Sequence, residues 1–116
     1  MSVQKAKDNY LGKNKRRLNC AQSILDSFRE KFNIDEATFN KFSRFGGGGA
    51  PNGVCGAYYA AKYILEKTDP EKSKELDVFF IEAAKSLNCK EIRGLKTLSC
   101  LGCVEKASQF INNFCF

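Results

Sequence analysis

The 116-residue sequence has no histidine and no tryptophan, only two prolines and a single methionine. Without imidazole there is no Ser-His or Cys-His catalytic pair, no His-ligated haem and no His-containing zinc site. No stretch approaches the roughly 20 apolar residues that cross a bilayer, so no membrane span is expected. An apolar run of roughly 7–15 residues after the first Met, as a secretory signal requires, is also missing. The expected setting is the cytoplasm, where thiols stay reduced. Acidic residues are the scarcer charge, 13 against 19 Lys and Arg, for a formal net charge of +6. They are scattered on helical faces where pairing with Lys is the default, so substrate turnover of the chain's own is not expected.

What is present is sulfur and aromatic bulk: six Cys, ten Phe and four Tyr. The length suits one domain with a genuine core. The excess positive charge sits in residues 1–17, where Lys5, Lys7, Lys13, Lys15, Arg16 and Arg17 face Asp8 alone. Residues 18–116 are nearly balanced. This divides the chain into a basic N-terminal arm, 1–17, and a Cys-rich helical domain, 18–116. Such an arm is either solvated or touches an acidic protein partner or an anionic surface. Tyr10 is the only aromatic residue interleaved with its charges, so nucleic acid is not an expected partner.

The apolar periodicity is helical almost throughout. Leu18, Ala21, Ile24, Leu25, Phe28 and Phe32 make one face of a first helix with Asn19 as its cap. Phe39, Phe42 and Phe45 recur at three-residue steps before the run Gly46–Gly53, which cannot continue a helix. Val54, Ala57, Tyr58, Ala61, Ile64 and Leu65 rebuild the stripe. Asp69-Pro70 starts the next helix, with Leu76, Phe79, Phe80, Ala83, Ala84 and Leu87 on its apolar side. Asn88–Ser99 reads as a connector containing Gly94, and Val104, Ala107, Phe110, Ile111 and Phe114 close the chain as a last helix. The expected fold is all-α, a small bundle of about five helices with a Gly-rich loop.

Placed on these elements, Cys20, Cys55, Cys100 and Cys103 fall at helix starts and Cys89 at the end of the long helix. A helix start presents free N–H groups and partial positive charge, which favours thiolate and lowers a Cys pKa. Cys115 reads as a terminal or packing thiol. Cys100-Leu101-Gly102-Cys103 is a C-x-x-C at a helix start, a spacing used by dithiol couples and by paired metal ligands. The glycine run lacks the nucleotide-binding pattern, because Val54-Cys55 stand where Lys and Ser/Thr are needed. Glycines leading into a Cys helix do let backbone approach a cluster closely and donate N–H bonds to sulfur.

Order and spacing together resemble the C_GCAxxG_C_C family of redox-active proteins. The residues that carry the likeness are Asn19-Cys20-Ala21-Gln22, Phe45-Gly46-Gly47-Gly48-Gly49 running into Gly53-Val54-Cys55-Gly56-Ala57, Asn88-Cys89-Lys90-Glu91-Ile92-Arg93-Gly94, and Cys100 with Val104. The resemblance implies that the family's four cysteines are Cys20, Cys55, Cys89 and Cys100, with Cys103 an addition. It departs at Ala60, where the motif's last Gly would stand. A similar domain occurs in split-Soret cytochromes c, beside haem and an iron–sulfur cluster; here, with no C-x-x-C-H, only the cluster is chemically reasonable.

The leading expectation is therefore a redox-active or electron-transfer protein that gathers Cys20, Cys55, Cys89 and Cys100, with Cys103 as a further metal ligand, around an iron–sulfur cluster. Gly53 and Gly56 would supply backbone contacts to it. The alternatives are a metal-free thiol–disulfide protein, a zinc site on the same thiols, and a helical interaction module in which the cysteines are packing. An electron carrier or redox accessory protein, serving a redox partner of acidic surface, fits better than an enzyme.

Overall fold

The computed structural model describes residues 2–12, 18–45, 49–96 and 98–114. Gly46, Gly47 and Gly48 of the glycine run, Lys13, Lys15, Arg16 and Arg17 of the basic arm, and Cys115 lie outside the described residues. Seven α-helices occur in order among the described residues: α1 (Ser2–Leu11), α2 (Cys20–Ser27), α3 (Glu36–Lys41), α4 (Gly56–Thr68), α5 (Pro70–Ala84), α6 (Cys89–Leu95) and α7 (Cys100–Phe114). Two single 3-10 turns, Phe42–Arg44 and Pro51–Gly53, complete the set, and no strand is found among the described residues.

The architecture is all-α, but the expected count of about five helices is corrected to seven. The additions come from segments with weak apolar periodicity. α1 buries only Ala6 and Asn9 among its described side chains. It is held by polar bonds instead: Asn9 Nδ2 donates to Asp26 at 3.0 Å and Lys7 pairs with Glu105 at 3.0 Å. α6 lies within the segment that reads as a connector. Asn88 starts it by accepting from the Glu91 N–H at 3.1 Å, Ile92 anchors it in the core, and Lys96 ends it in the left-handed region. α2 is shorter than its stripe implies. It stops at Ser27, the chain turns with Asn33 at φ 51°, and Asp35 caps α3 by accepting from the Thr38 N–H. Phe28 and Phe32 still meet, their centroids 6.0 Å apart, through a turn rather than a continuous helix.

α4 and α7 lie at the centre, with α2 against both, α5 against both from another side, and α1 across α2 and α7. Ile24, Leu25, Phe28, Ile64, Leu65, Leu76, Phe80, Val104 and Ile111 fill the space between them and are essentially inaccessible. A second aromatic group centres on Phe42, whose ring meets Phe45 at 5.0 Å, Tyr63 at 5.2 Å and Tyr59 at 5.6 Å. These clusters fix where the helix starts point.

Gly94 lies inside α6 with nothing within 4 Å of where a Cβ would stand. Glycine in a helix interior is about 0.5–1 kcal/mol worse than alanine. Gly94→Ala is therefore expected to raise stability by about that amount, read as a higher urea midpoint at unchanged slope.

Candidate redox-active cysteine site

Each cysteine is delivered by a helix start whose local chemistry is visible. Cys20 is the first residue of α2, and Asn19 caps it by accepting from the Gln22 N–H at 2.7 Å. The same Asn19 amide donates to the carbonyls of Phe42 at 3.1 Å and Ser43 at 2.9 Å, tying this helix start to the aromatic group. Cys55 occupies the cap position of α4. It is fixed from outside its helix: its N–H donates to the Leu87 carbonyl at 2.7 Å, beside an antiparallel bridge between Val54 and Asn88. The turn before it uses Asn52 at φ 63° and Gly53 at φ 71°, left-handed values that suit Asn and Gly. Asn88 thus caps α6, placing Cys89 at its first position, and also holds the strand-like contact that places Cys55.

The last two sulfurs come from one turn. Cys100 opens α7, and Cys103 follows three residues later, with Ser99 Oγ accepting from the Gly102 N–H at 3.0 Å to cap the turn.

All five described cysteines, Cys20, Cys55, Cys89, Cys100 and Cys103, line one small pocket. Its remaining walls are Ile92 and Leu98, with Arg93 the one charged residue in the lining among the described residues. Cys20, Cys55, Cys89 and Cys103 are buried, whereas Cys100 is half-buried. None of the five is in a disulfide. Gly56 lies beneath them: a Cβ there would stand 2.6 Å from the Cys20 sulfur and nearer still to the Phe45 carbonyl oxygen. Gly53 abuts the Asn88 amide instead, 3.2 Å from where its Cβ would be, and is not part of the lining.

Electrostatically the sulfurs differ. Arg93 Nη2 donates to Cys100 Sγ at 3.3 Å, and this bond holds the guanidinium even more firmly protonated than usual. The Cys55 thiol is hydrogen-bonded to Cys103, and that bond, with burial, pushes its pKa well up. Burial also raises Cys89, against the pull of Arg93. The expectation that a helix start lowers the thiol pKa is thus reversed at Cys55, and Cys89, expected at the end of the long helix, instead opens α6 and is raised by burial. A few oriented N–H groups do not offset removal from water next to other sulfurs.

Arg93 escaped the sequence reading. It belongs to α6, one turn after Cys89, and that placement on the same side as Cys89 becomes visible only once the segment is known to be helical.

Four thiols suffice in number and softness for an iron–sulfur cluster, and five are available. Among the described residues, however, no three Cys, Asp or Glu side chains gather as a single metal ion would need. No described helix is long and apolar enough to cross a membrane.

A family model described as "Putative redox-active protein (C_GCAxxG_C_C)" matches residues 18–114. The chain belongs to the C_GCAxxG_C_C family. Neither a curated protein nor a solved structure matches it significantly. The family match covers α2 to α7 and leaves α1 outside, so every element that delivers a sulfur to the pocket lies within it. In this C_GCAxxG_C_C protein the motif Cys55-Gly56-Ala57 acquires a physical meaning. The cysteine is a helix cap facing the pocket, and its glycine leaves room for a second sulfur and a backbone carbonyl.

Proposed function

We propose that the five-cysteine pocket is the redox centre of this protein and that it works by thiol–disulfide exchange, as an electron-carrying accessory to another protein. The observation that carries this reading is the gathering of sulfurs: Cys55 and Cys103 line one small pocket with Cys20 and Cys89, and Cys100, one helical turn from Cys103, is half-buried beside Arg93. Sulfurs gathered in one small pocket exchange a disulfide with little movement, and a partly exposed thiol is open to a partner. The partner is an acidic protein, since α6 and its end expose Lys90, Arg93 and Lys96 against Glu91 alone, and Arg93 lines the pocket and bonds Cys100. The reading is a cytoplasmic one, because free thiols are the state a reducing compartment maintains.

Thiol titration under denaturing conditions tests it. The fully reduced chain has six thiols. Incubation with glutathione disulfide is expected to remove two of them reversibly as an internal disulfide. Six thiols that persist after exposure would overturn the reading.

A second reading is favoured by the convergence itself: four separate helix starts bring Cys20, Cys55, Cys89 and Cys100 to one apolar-walled pocket. These four would hold an iron–sulfur cluster, with Cys103 as a fifth sulfur beside them and Gly56 leaving room for the backbone close to Cys20. Such a cluster supplies one-electron exchange when bound. Iron and acid-labile sulfide, measured on protein purified without oxygen, separate the two readings. Stoichiometric amounts of both support the cluster, and their absence together with a reversible disulfide supports exchange.

A further inference from the structure

Arg93 stands in the wall of the sulfur pocket with a hydrogen-bonding capacity that the fold does not use up. It is exposed on α6, and its guanidinium donates from Nη2 to Cys100 Sγ at 3.3 Å. Among the described residues no carboxylate pairs with it. The acidic side chains of the two helices that meet there are engaged elsewhere: Glu91 of α6 accepts from Ser86 Oγ at 3.0 Å, and Glu105 of α7 pairs with Lys7 at 3.0 Å. A guanidinium offers a planar fork of donors that fits a carboxylate in bidentate fashion. Here one part of the fork is turned to sulfur and the rest is exposed. The same charge also acts on Cys89, one turn earlier in α6, but Cys89 is 7% exposed. Cys100 is the one of the five described cysteines that is not buried, so it is the sulfur an incoming disulfide meets.

We propose that Arg93 sets the substrate of this site by selecting disulfides that carry a carboxylate within a few bonds of the sulfur, as a cystine flanked by Asp or Glu does in an acidic protein. This rests on the thiol–disulfide reading above and deepens it by naming a specificity-determining residue and the chemistry it recognises. The substrate carboxylate takes the exposed N–H groups of the guanidinium while Cys100 Sγ keeps Nη2, so one side chain holds both reactants. The Cys100 sulfur then attacks the nearer substrate sulfur. A bond forms between these two, the substrate S–S bond breaks, and its electron pair leaves with the other sulfur. The proton of the Cys100 thiol ends on that leaving sulfur. The substrate disulfide is the oxidant, the Cys100 thiol is oxidised to a mixed disulfide, and no further reactant is needed.

Lys90 and Lys96 are also exposed on this segment, but among the described residues Arg93 is the cation bonded to a sulfur. A Lys ammonium is a point charge without a fork. Positive charge spread over a surface attracts an acidic protein from a distance. Arg93 acts at the reacting sulfur, so its effect persists with substrates too small to touch the rest of the surface.

Disulfides of similar size and different charge are the probes: dithiodipropionate, hydroxyethyl disulfide and cystamine, which are anionic, neutral and cationic. The rate of thiol loss is followed by quenching in acid and alkylation. The natural sequence is expected to react with dithiodipropionate faster than with cystamine by on the order of tenfold, and added salt to shrink that ratio. Arg93→Gln is expected to lower the dithiodipropionate rate about threefold and to raise the cystamine rate by a similar factor. Opposite signs separate this outcome from a loosened fold, which speeds the reaction with every probe. Arg93→Lys, which keeps the charge and loses the fork, is expected to fall between the two. Lys74→Gln removes a positive charge from an exposed position of α5 outside the pocket lining and is expected to leave the ratio unchanged. In Cys100→Ser the charge preference is expected to vanish. Equal rates with all the probes in the natural sequence, or a ratio that survives Arg93→Gln or Cys100→Ser or is abolished by Lys74→Gln, would overturn the assignment to Arg93 while leaving thiol–disulfide exchange intact. Six thiols that resist every probe would remove the exchange reading and this inference with it.

Discussion

Phe42→Ala is expected to lower the stability of the folded chain by about 3–5 kcal/mol, the range for truncating a fully buried Phe. The side chain is 1% exposed and its ring is the hub of contacts to Phe45, Tyr59 and Tyr63 at 5.0–5.6 Å. Aromatic pairs of this kind are each worth about 0.5–1.5 kcal/mol beyond area burial. A domain of this size commonly has about 5–15 kcal/mol in total, so the loss is a large share of it. Its effect does not stop at the core. The carbonyls of Phe42 and Ser43 take both hydrogens of the Asn19 amide, and Asn19 caps the helix that begins with Cys20. Urea denaturation of the reduced protein is expected to show the lower midpoint. Alkylation in native buffer is expected to find Cys20 reacting faster than in the parent, while an unchanged Cys20 rate would disconnect the aromatic group from the pocket.

Gly56→Ala is expected to destabilise by about 2 kcal/mol net, although alanine is ordinarily the better helix residue by about 1 kcal/mol. The opposing term is overpacking, typically about 1–3 kcal/mol and here at the upper end. Of the two atoms a new methyl would strike, the Phe45 carbonyl oxygen is backbone and the Cys20 sulfur, at 2.6 Å, ends a short, buried side chain with little room to turn away. A loss of that size lowers the melting temperature by on the order of 10 °C for a domain of about 100 residues. Calorimetry of Gly56→Ala beside Gly94→Ala makes the contrast sharp, since the same chemical change has opposite signs at a crowded and at an open helical position. A stabilised Gly56→Ala protein would show that Cys20 and the chain at Phe45 yield freely.

Much of this was legible because helix starts write themselves into sequence. Asn19 before Cys20 and Asp69-Pro70 are local signals that read as helix starts, whereas Asn88 before Cys89 reads as the beginning of a connector and Cys89 as the end of the long helix, although Asn88 caps α6. The convergence of those ends on one pocket was not local. It depends on the Cys55 N–H to Leu87 bond and on the Val54–Asn88 bridge, contacts over more than thirty residues that no periodicity encodes. α1 was illegible for another reason, since Asn9 and Lys7 attach it by polar bonds that leave no apolar stripe. The extension of α2 through Phe32 failed because the helix ends at Ser27 and residues 28–33 turn, with Asn33 in the left-handed region, so Phe28 and Phe32 reach the core from a turn. Charge was misleading in a similar way: +6 on the whole chain said little about the pocket, whose one cation among the described residues is Arg93.

α6 makes no broad interface with any other helix among the described residues; Ile92 and the Asn88 bridge are its principal anchors. It nonetheless carries Cys89 and Arg93, one wall of the sulfur pocket. The free energy needed to bare the buried thiols is then that of releasing one seven-residue helix rather than that of unfolding the bundle. In kinetic terms, the core sets how long the protein survives, and this short segment sets how often its chemistry meets the outside.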